Sequence, residues 1–250
     1  MSTSTKITTS SEDKPLQSTL GVDLSEADLR FRTTLPLDKF RELDIGIAGL
    51  GATGRQVAIL LNAIGTDRVV GADPDRIEAK NIGTQGWSPS DVGKDKFEVI
   101  YRDFPKICGM SATFQRLLNP WRTGLTRERW AKKVVFCCVD TMRARQEIWV
   151  DILKTRHLQG LWIDSRVASG AIRIVTIQMN RREDVGYYLE SFYSDEQAFQ
   201  GACTDRLTMY GAYIAAGLMV SQLVNWLNGY PVVRDFMVET LSMGTVRFGE

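Results

Sequence analysis

The chain has 250 residues and a mass of 28.1 kDa, which suits one large α/β domain or two small ones. Its 31 Lys and Arg against 30 Asp and Glu leave a net charge of +1, so there is no electrostatic ground for a nucleic-acid coat or a general membrane binder. At 44% hydrophobic and 24% charged residues the composition is that of an ordinary globular protein, and the four cysteines form no Cys-x-x-Cys pair, against both structural zinc and a secreted disulfide framework.

The first 24 residues are rich in Ser and Thr and lack the apolar run of a signal peptide. They cannot bury enough surface to offset ordering entropy and are expected to form a mobile tail. That leaves residues 25–250 as a single domain and a cytoplasmic protein as the expectation. Asp44 to Leu50 (DIGIAGL) reads as a buried parallel strand. Thr53 to Ile64 follows as a helix, with Val57, Leu60, Leu61 and Ile64 on one face and Gly65 at the C-cap. Arg68 to Ala72 is a second strand, Lys96 to Ile107 a helix, and Ala112 to Leu118 a third strand. Lys133 to Val139 (KVVFCCV) is a buried strand, followed by a helix from Arg143 to about Lys154. Leu161 to Asp164 and Ala171 to Gln178 are further strands. The apolar stretch Met209 to Leu227 is nineteen residues long, enough for a membrane span. Ser221, Gln222 and Asn225, and its place after several strands, favour a buried interior helix instead. Short strands at Phe236 to Glu239 and Thr245 to Phe248 close the chain. Strands alternating with helices imply an α/β protein with a mostly parallel, doubly wound sheet.

Gly49-Leu50-Gly51-Ala52-Thr53-Gly54 is a G-x-G-x-x-G set between strand and helix. Its glycines permit a tight turn and let backbone N–H groups approach phosphates at the helix N-terminus. Asp73 ends the next strand nineteen positions after Gly54, about where a carboxylate meets ribose hydroxyls. The alternative is a glycine-rich turn without a ligand. On this reading a nucleotide binds here, its kind left open.

From Asp73 the sequence departs from hydride-transfer enzymes. Asp73-Pro74-Asp75 is followed by Asn81-Ile82-Gly83-Thr84-Gln85, by Val92-Gly93-Lys94-Asp95-Lys96, and by Cys138-Val139-Asp140-Thr141 with Arg145. This order resembles the ThiF/MoeB family and the adenylation domains of ubiquitin-activating (E1-like) enzymes, whose motifs run D-x-D, N-L-x-R-Q, V/I-G-x-x-K and C-T-D-N with a later Arg. The resemblance covers about Ser25 to Gly229. It implies a Rossmann-like sheet, mostly parallel with antiparallel strands at its C-terminal end, and ATP with Mg²⁺ as cofactors. Carried over by position, it makes Gly49, Gly51, Gly54, Asp73, Asp75, Asn81, Gln85 and Lys96 nucleotide-binding residues. Asp73 would meet the ribose, Asn81 and Gln85 would lie around the phosphates, and Lys96 would contact them. Asp140 would hold the metal during in-line attack on the α-phosphorus. The chemistry agrees, because attack on ATP builds charge on phosphate oxygens that a cation and a lysine stabilise. A substrate carboxylate is already ionised at neutral pH, so no general base is needed. The only histidine, His157, is read as a surface residue.

Leu24 to Arg32 (LSEADLRFR) is similar to the family's opening helix. The resemblance implies that Arg32, with Arg30 second, reaches the γ-phosphate of ATP on a neighbouring subunit, and hence a homodimer. A solvated helix-end arginine is the alternative. Thr84 stands where the family has an arginine, which removes one charged phosphate contact of ~1.5–3 kcal/mol. Lys94 and Arg76 are the nearby cations to offset it. Thr141 replaces the usual Asn. The family's paired zinc cysteines are missing from Met179 to Ser194, so no zinc is expected. Cys203 precedes the long apolar helix, where family members carry a cysteine that attacks the adenylated carboxyl; an ordinary packed cysteine is the alternative. Cys137 and Cys138 are read as packing residues in the central strand, and Cys108 carries no catalytic signal. The aromatic stretch Tyr187, Tyr188, Leu189, Phe192, Tyr193 and Phe199 either packs on the sheet, the favoured reading, or cradles an extended protein tail.

The resemblance therefore implies an adenylyltransferase acting on the C-terminal Gly-Gly carboxylate of a small ubiquitin-like or sulfur-carrier protein, with neither nucleic acid nor membrane as partner. A catalytically degenerate nucleotide-binding scaffold that holds a protein partner is the alternative, kept open by Thr84. An NAD(P) oxidoreductase would leave Asn81, Gln85, Lys96 and Asp140 unexplained.

Overall fold

The computed structural model describes residues 34–66, 69–104, 133–155, 158–168, 170–193 and 209–248, nearly all within the compact unit Leu35–Glu250. After a short helix α1 (Leu37–Arg41), strand β1 (Ile45–Ala48) leads into α2 (Ala52–Ile64) and β2 (Val69–Ala72). Helix α3 (Asn81–Gln85), a 3₁₀ turn at Pro89–Asp91 and α4 (Lys96–Asp103) follow, then β3 (Val134–Cys137), α5 (Met142–Thr155), β4 (Leu161–Ala168) and β5 (Ala171–Gln178). The chain continues with α6 (Arg182–Glu190), α7 (Met209–Asn228) and the hairpin β6 (Asp235–Glu239) and β7 (Gly244–Arg247).

The seven strands form one sheet in the order β2-β1-β3-β4-β5-β6-β7. The pairings among β2, β1, β3 and β4 are parallel, and those from β4 through β7 antiparallel. Both expected halves of the sheet are therefore present. All four residues of β1 and of β3 are buried, as the apolar runs require of strands covered on both faces. Their alternation sorts the core into two layers. Ile45, Ile47, Val134, Phe136 and Ile163 face α2, α4 and α7. Ala48, Val135, Cys137, Trp162, Val175 and Ile177 face α5 and α6. In the second layer Trp149, Trp162 and Tyr188 meet edge-on or tilted, with ring centroids 4.5–5.7 Å apart. Helix α2 ends at Gly65, whose φ of 89° gives the left-handed cap expected of it. Helix α7 lays Gly211, Ala212, Ala215, Ala216 and Met219 inward and packs along α2. Among the described residues no helix is long and apolar enough to cross a membrane.

Differences from the sequence reading are local. Strand β4 continues to Ala168, past the expected end at Asp164. Helix α6 lies in a stretch with no predicted element, because its polar residues and Gly186 carry little helical signal. Helix α4 is described to Asp103, and the expected strand Ala112 to Leu118 lies outside the described residues.

Candidate active site

The C-terminal ends of β1, β2 and β3 meet at one end of the sheet, as their parallel register requires. The chain leaves β1 through Gly49, at φ 85°, and the Gly49 N–H donates to Ala72 O at 2.8 Å. A Cβ on Gly49 would lie 2.8 Å from Cys138 O, and one on Gly54 would lie 1.8 Å from Gly49 O. Both glycines are thus forced by close backbone approach. Gly51 differs: a Cβ there would meet only the Gln85 amide, at 3.8 Å. No side chain caps α2 at Gly51, so the first-turn N–H groups keep their capacity for an anion.

Asp73 ties the end of β2 to this turn. Its Oδ2 accepts from Leu50 N at 2.7 Å and its Oδ1 from Asp75 N at 2.9 Å. The loop after Asp75 folds back through Ile77 N to Lys94 O and Gly93 N to Ile77 O, both 2.8 Å. That return brings Lys96, only 5% exposed, within 3.1 Å of Asp75 Oδ2 and 3.5 Å of Asp73 Oδ1. Burial pushes the Asp73 carboxyl above its ordinary range, with Lys96 and the two backbone donors opposing it. Lys96 thus sits with the two acids at the end of β2.

Asn81 and Gln85 lie on α3. Asn81 Oδ1 accepts from Glu78 N at 2.9 Å, and Gln85 Oε1 accepts from Trp87 Nε1 at 2.8 Å. The Thr84 hydroxyl donates to Lys80 O at 3.3 Å, a bond within its own turn. The two cations suggested to offset Thr84 are engaged elsewhere. Arg76 donates to Gly93 O at 2.9 Å and lies 3.5 Å from Asp95, while Lys94 pairs with Asp91 at 2.9 Å. The Asp91 carboxyl, bonded first by Arg102 and then by Lys94, is held down to about 2.

Asp140 follows β3 by three residues. Its loop is fixed from behind by Arg145 of α5, 4% exposed, which donates through Nη2 to Val139 O and, at 2.8 Å, to Ser165 O. Arg145 Nε also binds Asp164 Oδ1 at 2.8 Å. The fully buried Asp164 accepts further from Arg166 Nε at 2.8 Å and Tyr188 OH at 3.0 Å. Burial would raise the Asp164 carboxyl, but Arg145 and then Arg166 outweigh it and hold the group below its ordinary range. Thr141 Oγ1 accepts from Ala144 N at 3.2 Å and caps the start of α5. The Asp140 carboxylate itself is exposed, and no described residue bonds to it. Because Gly49 abuts Cys138, Asp140 lies two residues from the glycine turn.

The structure thus gathers Gly49, Gly51, Gly54, Asp73, Asp75, Lys96, Gln85 and Asp140 around the sheet's end, with Asn81 at the start of the neighbouring α3. Cys138 sits against this turn and Cys137 in the layer facing α5 and α6; burial pushes both thiols well up, in line with packing. Tyr188 is buried against Trp149, and Tyr187 OH donates to Asp235 Oδ2 at 2.6 Å, so this part of the aromatic stretch packs on the sheet. Arg30, Arg32, Cys108, His157, Phe199 and Cys203 lie outside the described residues. The Asp164–Arg166–Tyr188 cluster escaped the sequence reading; its signal was a charged pair, Asp164 and Arg166, flanking Ser165 between two apolar stretches.

A sheet that turns from parallel to antiparallel at β4, with a glycine turn at the tip of β1 and an acid at the tip of β2, defines a Rossmann-like α/β domain. The ThiF family profile matches residues 24–245; the chain belongs to the ThiF family. It is similar to ubiquitin-like modifier-activating enzyme 5 of Aedes aegypti, 24% identical over 221 residues that cover 80% of this chain and 54% of that one. The same enzyme of Culex quinquefasciatus is 23% identical over 220 residues, with the same shares. The chain therefore spans about half the length of the curated relatives it matches. Among solved structures, E. coli MccB with ATP superposes with a TM-score of 0.63 at 15% identity, covering 90% of this chain and 70% of that one. Selenomethionine PaaA gives 0.58 at 15% identity, with 93% and 84% covered. At these identities the structural likeness shows the fold.

Proposed function

We propose that the chain is a Mg-ATP-dependent adenylyltransferase. It activates the C-terminal glycine carboxylate of a small ubiquitin-like or sulfur-carrier protein with a Gly-Gly tail. The observation that carries this reading is the unpartnered Asp140 carboxylate, held beside the glycine turn by Arg145 while its own oxygens stay open. A single hard carboxylate next to a phosphate cradle fits Mg²⁺, which takes one or two protein carboxylates and completes its shell with phosphate oxygens and water. Bound there, the ion would supply charge stabilisation at the phosphates. The names of the relatives support the partner class: one is a ubiquitin-like modifier-activating enzyme, and MccB has been crystallised with MccA.

On this reading Asp73 anchors the ribose, the α2 N-terminus receives phosphate, and Lys96 swings from the Asp75 carboxylate to a phosphate oxygen. The substrate carboxylate oxygen attacks the α-phosphorus in line. The bond from the α-phosphorus to the bridging oxygen breaks, and pyrophosphate leaves with the electron pair. Arg32 is assigned to the γ-phosphate of a partner copy in a cytoplasmic homodimer, and Cys203 to the later capture of the acyl group. The test is isotope exchange between ATP and pyrophosphate in the presence of a Gly-Gly-tailed carrier protein. Exchange that requires the carrier and is lost in Asp140→Ala supports the reading. Mg-ATP binding without exchange for any such carrier overturns it.

One observation favours the scaffold reading: Thr84, Arg76 and Lys94 all spend polar groups on the protein itself, so both cations suggested to replace the missing arginine are already engaged. On that reading Thr84→Arg creates no exchange.

A further inference from the structure

We propose that Arg55, on the first turns of α2, is the phosphate-binding cation that replaces the arginine missing at position 84. The proposal rests on the reading of the glycine turn as an ATP site. Three observations point to it.

The first is placement. Arg55 stands one helical turn after Gly51, and its N–H donates to Gly51 O at 3.0 Å. Residues four apart share a helix face, and long helical side chains lean back toward the N-terminus. The Arg55 side chain therefore leans toward the turn where α2 offers its unbonded N–H groups.

The second is its position against α3, the element that carries Thr84. The guanidinium lies over the Trp87 ring, 4.9 Å from the centroid, and its Nη1 would be 3.5 Å from a Cβ on Gly86. Trp87 in turn holds Gln85 through its Nε1, and the Gln85 amide faces Gly51. Gly51, Gln85, Trp87 and Arg55 form a closed ring around the α2 N-terminus.

The third is unspent bonding capacity. Arg76, Lys94, Lys96 and Arg102 each have a carboxylate partner. Among the described residues the Arg55 guanidinium has a ring contact and neither a hydrogen bond nor an ion pair, its Nε is buried without a partner, and Tyr213, Asp103 and Asp91 act on it only through their field. A guanidinium carries five donors in a rigid fork suited to phosphate, and leaving a charged donor buried and unbonded is unfavourable. Stacking on an indole face orients such a fork without consuming its donors. Burial also weakens the guanidinium's hold on its proton relative to the ordinary value, with Tyr213, Asp103 and Asp91 opposing it in part.

The test measures binding of Mg-ATP and of AMP by calorimetry to the full chain, to Arg55→Ala, to Arg55→Lys, to Thr84→Arg and to the double variant Arg55→Ala/Thr84→Arg. A charge-assisted contact to the β- or γ-phosphate predicts that Arg55→Ala weakens Mg-ATP about ten- to hundred-fold and leaves AMP, which lacks both groups, nearly unchanged. Lys at position 55 recovers part of the loss. Arginine at position 84 recovers most of it in the double variant, a rescue that a purely structural role for the Arg55–Trp87 stack would not give. Equal weakening of ATP and AMP, unchanged ATP binding in Arg55→Ala, or absence of rescue overturns the assignment. Wild-type protein that binds no Mg-ATP overturns the site reading as well, so the two failures are distinct. If Arg55→Ala does not fold, Arg55→Lys compared with Arg55→Lys/Thr84→Arg carries the same comparison.

Discussion

Replacing Asp164 by Asn keeps the shape of the side chain and removes its charge from between two arginines. Asp164 is fully buried, and the Arg145 and Arg166 side chains beside it are 5% and 6% exposed. Neither can reach water when its partner is neutralised. Breaking a buried ion pair from one side costs about 3–5 kcal/mol, a large share of the ~5–15 kcal/mol that holds a domain folded. With a urea m-value of about 2 kcal/mol/M, the midpoint of Asp164→Asn falls by about 1.5–2.5 M. The pH dependence gives a second signature. Asp164 has a folded pKa below its unfolded value, so its contribution is fully present above about pH 4 and is lost as pH falls through the lower folded value. The gap between wild type and variant therefore closes in acid and is constant from pH 5 to 8. Urea titrations of both proteins from neutral pH down into the acid range below the ordinary carboxylate pKa, followed by tryptophan fluorescence, measure it. A midpoint shift below about 0.5 M at pH 7, or a gap that widens in acid, refutes the view that this carboxylate holds the two guanidinium groups.

Gly54→Ala places a methyl 1.8 Å from Gly49 O; the glycine turn must move by more than an ångström, and a loss of about 1–3 kcal/mol in thermal or urea stability is expected, together with loss of nucleotide binding by calorimetry. Tyr188→Phe removes the 3.0 Å bond to Asp164 but keeps the ring against Trp149. A bond to a charged group is worth about 1.5–3 kcal/mol, so urea unfolding should show a loss in that range, with near-ultraviolet circular dichroism preserved.

The parallel half of the sheet was legible because β1, β2 and β3 are short apolar runs, and because α2 keeps its apolar positions on one face. The glycine turn and Asp73 were legible for the same reason: their meaning is local, fixed by strand, turn and helix in succession. Helix α6 was not, since its burial depends on Tyr188 and Asp184 docking on a sheet assembled from distant strands. The Arg145–Asp164–Arg166 cluster was half visible. Arg145 stood in a recognisable motif, but its work on Val139 O and Ser165 O is set by the β3–β4 register. No motif in the sequence marks Arg55, and only the folded chain lays Trp87 beneath it.

The order of strands also governs when the molecule becomes competent. Strand β1 has β2 on one side, but its other neighbour arrives only when Ile45 meets Val134, and the helix that covers α2 starts at Met209. During synthesis the glycine turn therefore emerges ahead of β3 and α7 and stays unsupported until both have left the ribosome. Non-local closure of this kind slows folding, and the exposed early segment is the part a chaperone would meet. A fragment ending before α7 should accordingly be unable to fold around the turn, whatever its own sequence promises.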